Sequence, residues 1–353
     1  MARDKVSDVS EQPRQGRATI RDIAERAGVS KGAVSYALNG RPGVSEDTRE
    51  RILSIANELG WYPNRAARAL SAARADACGL VLARPARTLA LEPFFMEFIA
   101  GVEAELATRS IALTLQLVPD VQAEIAVYRR WWGEHRVDGV LVCDLRVVDP
   151  RVDELVRLGL PAVIVGGPLE NAALPSVWHD EGSVVVEAVQ YLAALGHQRI
   201  AHVAGVSEFV HTVQRTEAFR TAARSLGVRG EVVETDYSAE QGARATRRLL
   251  SSSEPPTAIL FDSDLLAVTG LGVAQQMGFT VPDDVSIVGW DDSLISQVVH
   301  PPLTAITRDI QAFGGAAART LLAAVEGRGG VGVETARGEL TTRGSTARPA
   351  AIR

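Results

Sequence analysis

The chain has 353 residues, 46% of them hydrophobic and 23% charged, with a net charge of −6. That length accommodates two or three domains with sizeable cores, and no apolar run reaches the eighteen residues a membrane-spanning helix needs. No basic-then-apolar start resembles a secretion signal, and Cys78 and Cys143 lack metal-ligand spacing, so a cytoplasmic protein with two buried, reduced cysteines is expected.

Residues 1–16 are polar and are expected to be a disordered tail. The stretch Thr19–Asn39, TIRDIAERAGVSKGAVSYALN, then reads as two short helices with Gly28 at the corner. Ile20, Ile23, Ala24 and Ala27 share one helical face. Thr19 stands before them and Asp22 follows three residues on, at capping-box spacing. Ser30 is suited to cap the second helix, whose buried face is Val34, Ala37 and Leu38. Lys31, Gly32, Ser35, Tyr36 and Asn39 are left outward. A helix-turn-helix of this size fits a DNA major groove. A third helix starts at Ser45, carries Glu46 and Asp47 in its first turn, repeats apolar residues at Ile52, Ile55, Ala56 and Leu59, and stops at Gly60.

The next segment, Tyr62–Leu70, is Ala- and Arg-rich and too short to nucleate a stable helix alone. It suits folding on a partner. Charge supports a polyanion at this end of the chain. Residues 1–74 hold 13 Lys/Arg against 9 Asp/Glu, a balance of +4, which leaves −10 for the remainder.

After Ala77 the pattern alternates between strands and helices. Cys78–Ala83, Ile111–Val118, Val137–Asp144 and Pro161–Gly167 read as one set of strands. Arg199–Gly205, Glu231–Thr235, Ala258–Ser263 and Val285–Trp290 read as a second. Continuous apolar strands between helices indicate parallel sheets covered on both faces, so two doubly wound lobes are expected. Ligands of such sheets bind beyond the strands' carboxyl ends. Asp144, Asp264 and Asp291 follow strands directly, Arg215 lies in the segment after Gly205, and Phe94 and Phe95 open the helix expected after the first strand. Carboxylates, a guanidinium and aromatic rings suit a polar, polyhydroxylated small molecule. His197 and Trp131–Trp132 read as packing residues. The chain shows no nucleophile elbow, metal-ligand cluster or phosphate loop, so neither catalysis nor a cofactor is expected.

The run TIRDIAERAGVS, VSYALN, VSEDTRERI and GWYPNRAARAL closely resembles the lac-repressor (LacI/GalR) family of bacterial transcription regulators, and the resemblance extends over nearly all the rest. It implies an all-α helix-turn-helix DNA-binding head at 17–62, a hinge helix and linker at 63–76, and a periplasmic-binding-protein-like (type I) α/β body at 77–353. The first lobe would take about 77–174 and 305–334, and the second 175–304 and 335–353, with the chain crossing between them three times. It further implies a homodimer that binds a pseudopalindromic double-stranded operator, most often as a repressor, under a small sugar-like effector. Lys31, Gly32 and Tyr36 would face bases, although Gly32 has no side chain to read them. Thr19, Ser30, Ser35, Asn39 and Arg41 are better placed for phosphates. Asn64, Arg65, Arg68 and Leu70 would form the hinge, with Leu70 wedged into the minor groove.

In the body, Arg215 in RTEAF resembles the effector-gripping arginine of the family. Asp291 in GWDD, after Trp290, resembles its effector-binding aspartate, Ser263-Asp264 its polar-Asp pair, and Phe94-Phe95 its PFF motif. At Gly166-Gly167-Pro168 many relatives offer a polar side chain and this chain offers none. Two alternatives stand beside this reading: control by a protein partner instead of a small molecule, and a solute-binding protein with the same lobes.

Overall fold

The computed structural model describes residues 18–61, 74–168, 173–330 and 332–350. The expected tail and the positions Asn64, Arg65, Arg68 and Leu70 lie outside the described residues. The chain divides into two compact units, residues 1–73 and 74–353.

In the first unit, α1 (Ile20–Ala27) starts at a complete capping box between Thr19 and Asp22 and ends on Gly28 at φ +66°, a left-handed conformation that glycine adopts without steric cost. The turn delivers Ser30 to the start of α2 (Lys31–Leu38), where its Oγ accepts the Ala33 N–H at 3.1 Å. Helix α3 (Glu46–Glu58) closes the unit. Ser45 stands at its cap position but makes no cap bond, because its Oγ pairs with Thr48 Oγ1 at 2.8 Å instead. Ile23, Ala24, Ala27, Val34, Ala37, Ile52, Ile55 and Ala56 form a single core. The small residues let three short helices approach closely enough to exclude water.

The second unit holds two six-stranded sheets. In chain order its elements are β1 (Ala77–Leu82), α4 (Ala86–Leu91), α5 (Pro93–Ala107), β2 (Ala112–Leu117), α6 (Val121–Gly133), β3 (Gly139–Val142), α7 (Pro150–Leu158), β4 (Ala162–Val165) and β5 (Ser176–Trp178). There follow α8 (Glu181–Leu195), β6 (Arg199–Ala204), α9 (Val210–Ser225), β7 (Arg229–Glu234), α10 (Ala239–Leu250), β8 (Ala258–Phe261), α11 (Asp264–Gln276), β9 (Ser286–Asp291) and α12 (Leu294–Val298). The unit ends with β10 (Thr304–Thr307), α13 (Ile310–Val325), β11 (Val333–Glu334) and β12 (Glu339–Thr341).

The first sheet runs β11-β5-β4-β3-β1-β2 and the second β12-β10-β9-β8-β6-β7. Among these strands every pairing is parallel except β10 with β12. The central strands β1, β3, β4 and β8 are buried along their whole length, as strands covered on both faces must be.

Three expectations change. Ser176–Trp178 pairs with Ile164 and Val165, so it extends the first sheet and moves the expected lobe boundary at 174/175 past it. Thr304–Thr307 pairs with Val288–Asp291, so it belongs to the second sheet, and the return to the first lobe begins with α13 rather than at 305. Both strands are too short for a period to register. The helix that follows β1 is α4, and Phe94 and Phe95 lie one helix later, on α5.

Helices α5 and α13 cross where Gly101 and Gly314 meet. A Cβ on Gly101 would lie 2.0 Å from the Gln311 carbonyl oxygen, and one on Gly314 2.3 Å from that of Phe98. The body's three crossings between lobes fall at 179–180, 308–309 and 335–338.

Candidate functional site

On the first unit, Lys31, Gly32, Tyr36, Asn39 and Arg41 are exposed, and Ser35 is half-buried. Tyr36 keeps 45% of its surface exposed, which is unusual for so large a ring and leaves its hydroxyl free to meet a ligand. Thr19 and Ser30 are both engaged in capping, and Asn39 Nδ2 donates to the Ser35 carbonyl at 2.8 Å. Arg49 Nη2 donates to the Arg41 carbonyl at 2.9 Å and fixes the chain leaving α2. The exposed face of α2 therefore combines one ammonium, one phenol and a side-chain-free gap at Gly32.

On the second unit, the carboxyl ends of both sheets face a cleft that encloses about 680 Å³, counting its open mouth. Of the residues expected there, Phe94, Phe95, Asp144, Arg215 and Asp291 line it. Asp144 at φ +54° and Asp291 at φ +76° take left-handed conformations as their strands end, a strained backbone state that Asp tolerates better than most residues and that recurs at functional sites.

The other three are turned elsewhere. Ser263 caps α11 by accepting the Leu266 N–H at 3.3 Å. Asp264 accepts the backbone N–H groups of Trp290 at 3.1 Å and Ser293 at 2.7 Å, so its carboxylate staples two backbone segments behind the cleft wall. Burial pushes it up to about 7, against the pull of those hydrogen bonds. Trp290 is buried behind the lining, where the Arg215 guanidinium lies 3.9 Å from its ring centroid.

The structure adds residues that the sequence reading did not single out. Arg84, two positions past β1, forms a fork to Asp144 at 2.8 and 2.9 Å. Its guanidinium also faces the Phe95, Phe209 and Tyr237 rings at 5.0–5.4 Å, so a first-lobe cation rests in part on two second-lobe aromatics, Phe209 and Tyr237. Arg215 Nε donates to Glu181 Oε2 at 2.8 Å and its Nη1 to the Asp262 carbonyl at 3.1 Å. Arg308 Nε donates to Asp291 at 2.8 Å and its Nη1 to Glu181 at 3.1 Å, with His179 also in contact. His179 and Arg308 stand on two of the inter-lobe crossings, and Glu181 immediately follows the first.

Burial opposes ionisation of these acids, but the guanidiniums win. Arg84 holds Asp144 below its ordinary value, and Arg215 with Arg308 holds Glu181 well below. Asp262, bonded to His202 at 2.8 Å and facing Arg215, falls to about 2. His211 is pushed down to about 4 by burial and by Arg215, so it is a neutral partner for the Tyr237 hydroxyl 2.9 Å away.

Glu92 is the exception. It lines the cleft, burial pushes it up to about 7, Arg84 pulls against that rise, and Asp291 and Asp144 add to it.

A helix-turn-helix unit with an open recognition face, followed by a two-lobed body around a charged and aromatic cleft, defines a DNA-binding regulator with a small-molecule sensor. Residues 19–64 match the bacterial regulatory proteins of the lacI family, and residues 189–346 match the periplasmic binding protein-like domain. The chain is 33% identical to the HTH-type transcriptional regulator CelR of Thermobifida fusca over 323 residues, covering 89% of this chain and 94% of that protein. The structure of a CelR–cellobiose complex superposes with a TM-score of 0.71 at 31% identity, over 93% of this chain and all of that one. A lac repressor dimer bound to operator and the anti-inducer ONPF gives a TM-score of 0.80 at 25% identity, over 94% of this chain and all of that one. The chain belongs to the lacI family of bacterial regulatory proteins and is a helix-turn-helix transcriptional regulator.

Proposed function

We propose that the protein is a homodimeric repressor that binds a pseudopalindromic operator and changes its grip on DNA when a small polyhydroxylated effector enters the inter-lobe cleft. The observation that carries the effector half is the cleft itself: fixed carboxylates and guanidiniums alternate with Phe94, Phe95 and Trp178. Polar groups of that kind orient hydroxyls, and flat rings cover a sugar's apolar face. CelR's cellobiose supports a carbohydrate as the effector class.

On the DNA side, Lys31 and Tyr36 contact base edges, and Gly32 lets the backbone approach closely. Thr19, Ser30, Ser35, Asn39 and Arg41 meet phosphates. Asn64, Arg65, Arg68 and Leu70 make the hinge that enters the minor groove, where Leu70 unstacks the central step.

The test is operator binding by the full chain. Affinity for a pseudopalindrome should exceed that for random duplex by about 10³-fold or more and fall steeply with salt. Leu70→Ala should reduce specific binding far more than non-specific binding. Equal affinity for both duplexes overturns the operator reading, and an equal loss of both in Leu70→Ala overturns the hinge assignment.

A further inference from the structure

The cleft is over-supplied with negative charge. Three guanidiniums, on Arg84, Arg215 and Arg308, face five carboxylates, on Glu92, Asp144, Glu181, Asp262 and Asp291. Each guanidinium is already bonded to a carboxylate of the protein: Arg84 to Asp144, Arg215 to Glu181, and Arg308 to Asp291 and Glu181. Among the described residues Arg84 Nη1 and Arg215 Nη2 keep donors without an acceptor, enough to meet hydroxyls, but no guanidinium offers the unpaired positive charge that seizes a phosphate or carboxylate ligand.

The group left over is Glu92. It occupies the cap position before α5, yet its side chain makes no cap bond there. It is only 7% exposed, it lines the cleft, and its Oε2 has no hydrogen-bond partner among the described residues. A buried carboxyl oxygen without a donor is costly and calls for an explanation. A water bonded there would supply a donor but would leave the surplus negative charge of the lining in place. A cation satisfies both deficits, since it donates to Oε2 and cancels one excess negative charge. The adjacent rings add a favourable face for it.

We infer that the effector is an aminated carbohydrate, whose protonated amine is received by Glu92, and that anionic sugars such as phosphosugars are excluded. This rests on the carbohydrate reading above and narrows it. Glu92 is then a specificity-determining residue: the hydroxyl-orienting set grips the ring, and Glu92 selects the substituent.

The experiment is calorimetric titration of the full chain at pH 7 with a panel of mono- and disaccharides. Each sugar is supplied in hydroxyl, amino, acetamido and phosphorylated forms, against the native protein and Glu92→Gln. Glutamine keeps the shape and loses the charge. For at least one sugar the amino form should bind about tenfold or more tighter than its hydroxyl and acetamido counterparts, and Glu92→Gln should erase that margin. A hydroxyl, acetamido or phosphorylated form that binds as tightly as the amino form overturns this inference and leaves the carbohydrate reading standing. An amino preference that survives in Glu92→Gln overturns the role given to Glu92. Failure of every form to bind overturns the carbohydrate reading together with the inference.

Discussion

The Glu92 carboxyl gives a measurable pH signature even without a ligand. Its pKa rises from an ordinary 4.5 to about 7 through burial. The folded protein therefore keeps this proton over a range where the unfolded chain has released it. Each tenfold gain in proton affinity corresponds to about 1.4 kcal/mol. The contribution is fully present below pH 4.5 and disappears as pH climbs through 7, because the folded state then carries a buried charge that the unfolded state solvates freely. Between pH 5 and pH 8 the loss amounts to about 2–3 kcal/mol. Glu92→Gln cannot ionise, so its margin over the native protein should be small at pH 5 and larger by that amount at pH 8. In a body of this size the gain is roughly 4–5 °C in unfolding temperature. Asp264 is also pushed up to about 7, but it is present in both proteins and cancels in the difference. The assay is thermal unfolding of both proteins from pH 5 to pH 8, followed by the body's tryptophans. A stability difference that stays constant across that range, or a variant less stable at pH 8, refutes the reasoning.

The opposite slope belongs to Asp144, Glu181 and Asp262, whose values are lowered in the folded state; their stabilisation is present above the ordinary carboxylate range and should drain away as pH falls below about 4, measurable as a second, acid-side loss of melting temperature. Arg215→Ala strips Glu181 and Asp262 of a partner in a buried site, and it should cost about 3–5 kcal/mol in denaturant unfolding and abolish the effector response; wild-type stability would show that the network carries no weight. Gly101→Ala places a Cβ 2.0 Å from the Gln311 carbonyl and should destabilise the body by about 1–3 kcal/mol or more, whereas Gly133→Ala, with nothing within 4 Å, is the neutral control. Tyr36→Ala should cost about 1–3 kcal/mol of operator preference in a competition assay while leaving the salt slope unchanged.

The head is legible in the sequence because its determinants are local. Thr19, Asp22, Gly28 and Ser30 act within four residues of themselves, and Ile23, Val34 and Ile52 declare their burial by spacing. The lobes are legible where strands are long and apolar, as at β1 and β8. They are not where a strand has three or four residues and contains Ser or Thr, as at β5 and β10, because a period of two needs more length to show. In the cleft, the strand-end rule finds Asp144 and Asp291 but says only where the chain passes, not where a side chain points. Asp264 obeys the rule and yet turns back onto the Trp290 and Ser293 amides. Arg84 obeys it too, two residues past β1, but nothing in its neighbourhood along the chain sets it apart from an ordinary surface arginine. Arg308 directly follows β10 and Glu181 comes three residues after β5, so neither is visible to that rule while the two short strands go unrecognised.

Those crossings are also where ligand chemistry meets lobe motion. Arg308, on the second crossing, is bonded to Glu181 just beyond the first and touches His179 on it, as well as Asp291 at the end of β9. The third crossing passes close by, since a Cβ on Gly338 would lie 2.9 Å from Arg308 Cγ. Any change in lobe angle must bend these three segments, so it must rearrange the charged groups that line the cleft. Elsewhere the lobes touch through Arg84 on the Phe209 and Tyr237 rings, through the Arg146–Glu208 ion pair, and through a short backbone pairing, with the Val210 N–H donating to Leu145 at 2.9 Å and the Val147 N–H to Glu208 at 3.0 Å. The two backbone bonds are worth about 1–3 kcal/mol together. A ligand shifts a lobe equilibrium by no more than its difference in affinity for the two arrangements, and about 1–3 kcal/mol of coupling gives about 5–150-fold control. A ligand that takes over one partner of Arg308 or Arg215 therefore acts on the hinge directly, with an energy of the same size as the backbone pairing between the lobes.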